Sequence, residues 1–140
     1  MIENGAHRYP VRVFFEDTDL SGVVYHANYL RFFERARSDL LRVAGIDQRG
    51  AFDAGTGVYA VRDMTLDYAA PARLDDALLI ETRVSELRAA TVTMTQRCLR
   101  GPDYLVGATV RAAFLTREGR PRRQPADWIE RFAALMPPQG

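Results

Sequence analysis

Glu16 to Arg37 reads E-D-T-D-L-S-G-V-V-Y-H-A-N-Y-L-R-F-F-E-R-A-R, and this stretch decides the fold. It begins with carboxylates at the end of a predicted strand, passes through a glycine turn and becomes an amphipathic helix. An ionised Asp can attack a carbonyl or activate water, and the free amides at a helix N-terminus can hold a developing oxyanion. The stretch therefore predicts acyl-group hydrolysis at the start of the helix.

The hydrophobic period changes across this turn. On the N-terminal side, Tyr9 to Phe15 is rich in β-branched and aromatic residues, which predicts a strand with Pro10 at its start. On the C-terminal side, apolar residues recur every three or four positions, which predicts a helix from His26 or Asn28 to Ala44. Gly45 is expected to end that helix.

Beyond a glycine-rich loop the pattern returns to strands, and short connections favour antiparallel neighbours. Four are predicted: Val58 to Tyr68, Leu78 to Leu87, Thr91 to Arg100 and Tyr104 to Thr116. Pro125 to Leu135 predicts a short terminal helix that caps the sheet or frays on the surface. One long helix and five antiparallel strands predict an α+β fold, a single domain over residues 1–140 in which the sheet curls around the helix. The open strand edges predict a homo-oligomer, at least a dimer.

Composition excludes several classes of function. The net charge is only +1, so nothing in the overall charge indicates a nucleic-acid or acidic-membrane partner. The single cysteine, Cys98, cannot form an internal disulfide, and the two distant histidines give no metal-ligand spacing. Neither a phosphate-binding nor a dinucleotide-binding glycine loop is present, so no cofactor is expected. Without a signal peptide or an apolar stretch of membrane-spanning length, the expected location is the cytoplasm.

Two signatures together resemble a known family. Glu16 to Arg37, followed by V-R-D-M-T-L-D-Y-A-A-P-A-R-L-D-D at Val61 to Asp76, resembles the hotdog-fold acyl-CoA thioesterases of the 4-hydroxybenzoyl-CoA thioesterase-like family. The resemblance runs from about Arg8 to Phe132 and is strongest to the YbgC type, which is associated with bacterial Tol-Pal systems. It implies a five-stranded antiparallel sheet around a central helix, dimers with a continuous sheet, frequent tetramers, and active sites at the dimer interface.

The resemblance also implies the catalytic residues. Asp19 matches the family's catalytic carboxylate, which acts as nucleophile or general base. His26, at the helix start, matches the position whose backbone amide binds the thioester oxygen, and its side chain is regarded as part of the site. Leu20 and Ser21 stand where small residues such as Ala and Gly are usual, which bears on acyl-group preference.

Other residues are expected to contact the substrate or support the site. Tyr25 is expected to line the acyl pocket and Asn28 to cap the helix, both close to the substrate. Arg88, in the turn between the third and fourth predicted strands, falls where the family has basic residues near the CoA nucleotide. Asp17 would point to the same side as Asp19 on an extended segment, and a structural role is favoured for it.

Each functional assignment has a purely structural alternative. Asp19 can be a turn carboxylate that accepts nearby amides, His26 a structural helix-start residue, and Arg88 a solvated turn residue. The alternatives to thioester hydrolysis are a hotdog enoyl-CoA hydratase, a non-catalytic module that binds acyl-CoA or acyl carrier protein, with Tol-Pal-linked partners, and a purely structural dimer.

Overall fold

One antiparallel sheet organises the chain, and its strands run in the order β1-β2-β4-β5-β6-β3. The computed structural model describes residues 1–137, so the last three residues of the predicted 1–140 domain lie outside the described part. A 3₁₀ turn covers Phe15–Asp17. The remaining elements are β1 (Ile2–Glu3), β2 (Ala6–Arg12), α1 (Asn28–Val43), α2 (Gln48–Asp53), β3 (Val58–Tyr68), β4 (Ala77–Leu87), β5 (Thr91–Arg100), β6 (Asp103–Leu115) and α3 (Ala126–Ala133).

The long helix α1 is the centre of the core, as the α+β prediction requires. Its apolar face is buried against the sheet, and at Phe33 and Ala36 no surface is left exposed. Each large apolar side chain buried in this way contributes roughly 1.5–3 kcal/mol. Bulges in β3 and β4 interrupt the strand register, and bulges increase the local bend and twist that a curled sheet needs.

The connection between β3 and β4 corrects one expectation. It is short, at residues 69–76, yet the two strands are not neighbours, since β3 pairs with β6 and β4 pairs with β2 and β5. The loop therefore crosses the end of the sheet. It is held there because Ala69 and Ala70 donate to the carbonyl of Leu105, and Val24 donates to the carbonyl of Ala72. This crossing brings the 69–76 loop against the acidic loop that precedes α1.

Within residues 1–137 the sheet has six strands, so the predicted count of five is wrong. The additional strand, β1, has two residues and is too short to carry a period, but it pairs with β2 through Glu3 and Ala6. The two residues between them, Asn4 and Gly5, both have positive φ, at 51° and 76°. An Asn-Gly pair is a strong signal for this tight hairpin turn, so the sequence did contain the information.

One strand boundary and one loop also differ from the prediction. The first long strand covers Ala6–Arg12 rather than Tyr9 to Phe15, because the chain leaves the sheet before Phe14 and Phe15, which are 61% and 80% exposed. The aromatic residues Phe14 and Phe15 thus belong to an exposed loop and not to the strand that their composition predicts. The loop after α1 contains α2, whose N-terminus is capped by Asp47, since its side chain accepts a hydrogen bond from the amide of Gly50.

The terminal helix α3 caps the sheet. Trp128 and Phe132 are buried, and their rings pack against Tyr59 of β3 with centroid distances of 5.9 and 6.4 Å. Gln124 anchors the segment before the helix, because its buried amide donates to the carbonyls of Arg88 and Thr91. Of the two roles expected for this helix, capping is the one observed.

A buried histidine lies between the sheet and α1. His7 of β2 is fully buried, and its Nε2 donates to Oδ2 of Asp39 at 2.7 Å. Within residues 1–137, its Nδ1 has no hydrogen-bond partner. Burial lowers the pKa of His7 below its usual value, although the hydrogen bond and charge of Asp39 counteract part of this effect. The folded protein therefore holds His7 neutral where the unfolded chain would protonate it.

This difference predicts a pH dependence of stability. Unfolded His7 binds its proton more readily than folded His7, so the free energy of unfolding should fall as the pH drops below about 6.5. His7→Gln should remove this part of the slope between about pH 7 and pH 5. Urea unfolding at a series of pH values measures the slope. Val13→Ala, another fully buried site, should lower stability at every pH and keep the slope. Equal slopes in wild type and His7→Gln would contradict the prediction.

Candidate active site

The acidic loop between β2 and α1 is built from backbone contacts with the crossing loop. Val13 donates to the carbonyl of Asp76 at 3.0 Å and accepts from the amide of Asp75 at 3.0 Å. The chain then turns back through the 3₁₀ segment, where the amide of Phe14 donates to Oδ2 of Asp17 at 2.9 Å. Residues 13–17 therefore carry the chain from the sheet toward the start of α1.

A tight turn holds Asp19. Its amide donates to the carbonyl of Val23 at 3.0 Å, and the amide of Gly22 donates to the carbonyl of Asp19 at 3.2 Å. Gly22 has φ of +82°, in the left-handed region that L side chains rarely adopt, so glycine is required at this position. On either side of the turn, Thr18 and Val24 form an antiparallel bridge. The turn thus fixes the backbone on both sides of Asp19.

The carboxylate of Asp19 is exposed and ionised. Its Oδ1 accepts hydrogen bonds from the backbone amide of Ser21 at 2.8 Å and from the Ser21 hydroxyl at 2.6 Å. These bonds, the hydroxyl first, hold the pKa of Asp19 below its usual value, and the nearby His26 lowers that pKa slightly further. The interpretation of Asp19 as a turn carboxylate is thus correct for one oxygen. No hydrogen bond from residues 1–137 reaches Oδ2, which is left for other chemistry.

His26 lies in the turn that leads into α1. The helix begins at Asn28, whose amide donates to the carbonyl of Tyr25 at 2.8 Å. Within the described residues, the amide of His26 has no backbone or side-chain acceptor, and its imidazole is exposed. The first turn of α1 contains no acidic residue that would offset the positive end of the helix dipole. A free backbone amide at the positive end of a helix is the kind of arrangement that stabilises an oxyanion.

Asn28 has a different structural role from the one expected. The N-cap position is Ala27, which has no capping side chain, so the prediction that Asn28 caps the helix is wrong. Instead, Asn28 Nδ2 donates to Oδ1 of Asp17 at 2.8 Å. An ionised carboxylate is a stronger acceptor than a neutral group, which explains this preference. Asp17 and Asn28 together tie the acidic loop to the first residue of the helix.

Asp17 is a structural residue, as favoured, but the reasoning about its direction is wrong. It belongs to the 3₁₀ turn rather than to an extended segment, so alternation along a strand does not place it beside Asp19. Both of its carboxylate oxygens accept hydrogen bonds, from Phe14 and Asn28, and its carbonyl accepts from the amide of Tyr25 at 2.9 Å. Asp17 therefore holds the loop, while Asp19 remains exposed.

Two tyrosines, which the sequence prediction did not single out, hold the helix start from the other side. The hydroxyl of Tyr68, at the end of β3, donates to the carbonyl of His26 at 2.9 Å. The hydroxyl of buried Tyr29 accepts from the amide of Ala72 at 2.9 Å. Tyr68 lies in the D-Y-A-A-P part of the second signature, which was the available signal. The peptide groups around His26 are thus fixed by contacts from both signatures.

An open cleft of about 350 Å³ lies beside these groups. Asp19, Tyr25 and Asn28 all line it, so the cleft brings together three of the five predicted site residues. Tyr25 is 49% exposed, and its ring lies 4.5 Å from the ring of His26, which places His26 beside them. Arg31, one turn into α1, adds a cation to the cleft. The cleft can therefore receive a carbonyl group next to both a carboxylate and a helix start.

Arg88 is not part of this cleft. It follows β4, whose other end lies at the crossing loop, and a strand of 11 residues extends over roughly 35 Å. Within one chain, Arg88 therefore lies at the opposite end of the sheet from Asp19. Its Nε forms an exposed ion pair with Glu86 Oε1 at 2.6 Å. A site that contains both Asp19 and Arg88 needs two copies of the chain.

Among residues 1–137, no group of three His, Cys, Asp or Glu side chains is arranged to hold a metal ion. No helix in that part combines the length and apolar character needed to cross a bilayer. The thiol of Cys98 is fully buried, and burial raises its pKa to about 12, which makes it a poor nucleophile.

Comparisons with known proteins identify related chains. A family model described as Thioesterase superfamily matches residues 21–106. The acyl-CoA thioesterase YbgC of Haemophilus influenzae is 45% identical over 113 residues, which cover 81% of this chain and 82% of that protein. The acyl-CoA thioester hydrolase YbgC of Escherichia coli O157:H7 is 46% identical over 99 residues, or 71% of this chain and 73% of its own. A crystal structure of a probable thioesterase from Bartonella henselae has a TM-score of 0.81 at 43% identity and covers 86% of this chain and 99% of that one.

The fold and the similar proteins indicate the same family. The antiparallel sheet curled around one long helix is the hotdog arrangement that the resemblance implied, although with six strands. The family model covers more than half of the chain, and the relatives match most of it. The chain therefore belongs to the Thioesterase superfamily, has the hotdog fold, and is a thioester hydrolase.

Proposed function

We propose that this protein is an acyl-CoA thioesterase that hydrolyses an acyl-CoA to the free acid and CoA. The observation that carries the proposal is the cleft at the start of α1, which the ionised Asp19 lines and beside which lies His26, whose backbone amide has no protein partner in the described residues. The names of the YbgC relatives supply the substrate class. The described residues form one sheet with one central helix, which supports a single thioesterase domain. Because acyl-CoA is used inside the cell, the proposed location is the cytoplasm.

Catalysis needs two groups from this chain. The His26 amide binds the thioester oxygen, and negative charge develops on that oxygen as the carbonyl carbon becomes tetrahedral. As a nucleophile, Asp19 attacks that carbon, the C–S bond breaks, the CoA thiolate leaves and takes a proton from solvent, and water hydrolyses the mixed anhydride. As a general base, Asp19 removes a proton from the water that attacks the carbonyl carbon; the C–S bond then breaks, and the CoA thiolate leaves and takes up a proton. Both routes consume one water and need no cofactor, since a thiolate is a good leaving group.

The open edge at β3 supports a homodimer. This strand pairs with β6 on one side only, and its residues 60–63 are exposed. Unpaired edges invite further pairing, and a second β3 in antiparallel orientation would continue the sheet. Such pairing brings the Tyr68 end of one β3 toward the Val58 end of the other. Two such dimers would make the tetramer that the resemblance implies.

This arrangement would complete the active site from two copies. A groove of about 100 Å³ lies at the Val58 end of β3, between α1 and the sheet, and Leu41, Tyr59 and Met94 supply part of its apolar lining. In the proposed dimer, the groove of the partner lies beside Asp19 and can receive the acyl group. Arg88 of the partner subunit lies at that same end and can reach the phosphates of CoA. The dimer thus accounts for the distance between Arg88 and Asp19 within one chain.

Thiol release from a panel of thioesters tests the proposed function. The panel contains short, long and aromatic acyl-CoAs, an acylated carrier protein and an enoyl-CoA. The wild type should release thiol from at least one acyl-CoA, and Asp19→Asn should lower kcat/KM by about 10³-fold or more because it removes the nucleophile or base. His26→Ala keeps the backbone amide and should lose less activity than Asp19→Asn. Circular dichroism checks that the variants remain folded.

Other outcomes would favour the competing functions. Hydration of the enoyl-CoA without thiol release would replace the thioesterase with a hydratase. Binding of acyl-CoA or of the acylated carrier protein without turnover would indicate a binding module. An Asp19→Asn variant as active as the wild type would remove Asp19 from the catalytic site.

The dimer has its own test. Val61 of β3 is 51% exposed, and Val61→Asp places a charge that the partner strand cannot pair. Sedimentation should show a dimer or tetramer for the wild type and a monomer for Val61→Asp, together with loss of activity. Val43→Asp, at an exposed valine on α1, is the control and should keep the oligomer. A wild type that sediments as a fully active monomer would overturn the two-copy site.

A further inference from the structure

Ser21 makes two hydrogen bonds to the candidate catalytic carboxylate. It lies two residues after Asp19, and both of its donors, the backbone amide and the hydroxyl, bond the same oxygen, Oδ1, at 2.8 and 2.6 Å. An ionised carboxylate accepts hydrogen bonds and donates none, so the Ser21 hydroxyl proton must point at Oδ1. Oδ1 of Asp19 therefore accepts two hydrogen bonds from the same residue, Ser21.

This arrangement makes the two oxygens of Asp19 unequal. Hydrogen bonds to an ionised group are short and strong, and two of them restrict rotation of the carboxylate. Oδ2 has no such bond from residues 1–137. Four further charged or titratable side chains lie around the cleft: Glu16 from the 3₁₀ turn, Tyr25 and His26 from the loop, and Arg31 from α1. None of these side chains has a hydrogen bond to Asp19, so Ser21 supplies its side-chain contact.

We propose that Ser21 is a positioning residue that pins Oδ1 of Asp19 and leaves Oδ2 as the reacting oxygen. The inference rests on the proposed thioesterase function. In the nucleophilic route, Oδ2 forms the new bond to the carbonyl carbon. In the general-base route, Oδ2 accepts the proton of the attacking water. In either route, the Ser21 hydroxyl keeps its proton and holds the carboxylate in one orientation.

A purely structural role for the Ser21 side chain is the competing explanation. The turn itself is closed by backbone bonds, from the Asp19 amide to Val23 and from the Gly22 amide to Asp19. Neither bond uses the Ser21 hydroxyl. Ser21→Ala removes only that hydroxyl and keeps the backbone donor, so the turn should persist. The effect of the hydroxyl on the carboxylate can therefore be separated from its effect on the fold.

The experiment compares wild type, Ser21→Ala and Ser21→Thr, with Ser85→Ala as the control. Ser85 lies on β4, and its hydroxyl donates to the carbonyl of Thr93, so this variant also loses one hydroxyl bond to the protein. Steady-state kinetics on the best acyl-CoA of the panel gives kcat and KM. Carbon-13 NMR of the Asp carboxyls gives the titration of Asp19, assigned by its loss in Asp19→Asn.

Ser21→Ala should lower kcat about tenfold with KM within about twofold, because the carboxylate is no longer held in the reacting orientation. Its Asp19 signal should titrate at higher pH than in the wild type, since a donor to the ionised form is gone. Ser21→Thr should restore both values, and Ser85→Ala should behave as the wild type.

Two results would overturn the inference in an active enzyme. One is an unchanged kcat or an unchanged Asp19 titration in Ser21→Ala. The other is an equal loss of kcat in Ser85→Ala, which would indicate a general effect on the fold. A wild type that cleaves no thioester overturns the proposed function instead, so the two failures are distinguishable.

Discussion

The burial of α1 by the curled sheet is the constraint on which the rest of the structure depends. Phe33 and Ala36 have no exposed surface, so the helix cannot shift along or away from the sheet without opening the core. That fixes where the helix begins, at Asn28. The loop before it and the loop that crosses the sheet must then meet at this end. The site is a consequence of where the core holds the helix.

At the helix start, some polar groups are paired in structural contacts and others are free. Asp17 and Asn28 tie the acidic loop to the helix, and Tyr68 ties the carbonyl of His26 to β3. In these contacts the polar groups of Asp17, Asn28 and Tyr68 are hydrogen-bonded within the protein. The amide of His26 and Oδ2 of Asp19 remain without protein partners in the described residues. A catalytic site needs free polar groups that rigid surroundings hold in place. The protein then does not have to rearrange these groups during the reaction.

The sequence predicted the elements whose periods are long and missed those that depend on three-dimensional contacts. The bounds of α1, β3 and β5 agree with the prediction to within two residues, because apolar spacing and strand composition act over ten residues or more. The short β1 had no period, although its Asn4-Gly5 turn signalled it. Asn28 was misassigned because its partner, Asp17, folds back in a 3₁₀ turn that spacing does not reveal. The separation of Arg88 from Asp19 follows from the length of β4, which runs from the crossing loop to the other end of the sheet. Short connections predicted the strand order incorrectly at residues 69–76, because the neighbours of a strand depend on contacts across the whole sheet.

The proposed mechanism is tested most directly by a crystal structure of the wild-type protein with an acyl-CoA analogue whose thioester sulfur is replaced by a methylene group, so that it cannot be cleaved. The carbonyl oxygen is expected at about 3 Å from the backbone nitrogen of His26, with the carbonyl carbon facing Oδ2 of Asp19. A bound analogue whose carbonyl lies away from the His26 amide, or whose carbonyl carbon faces another side chain, would contradict it.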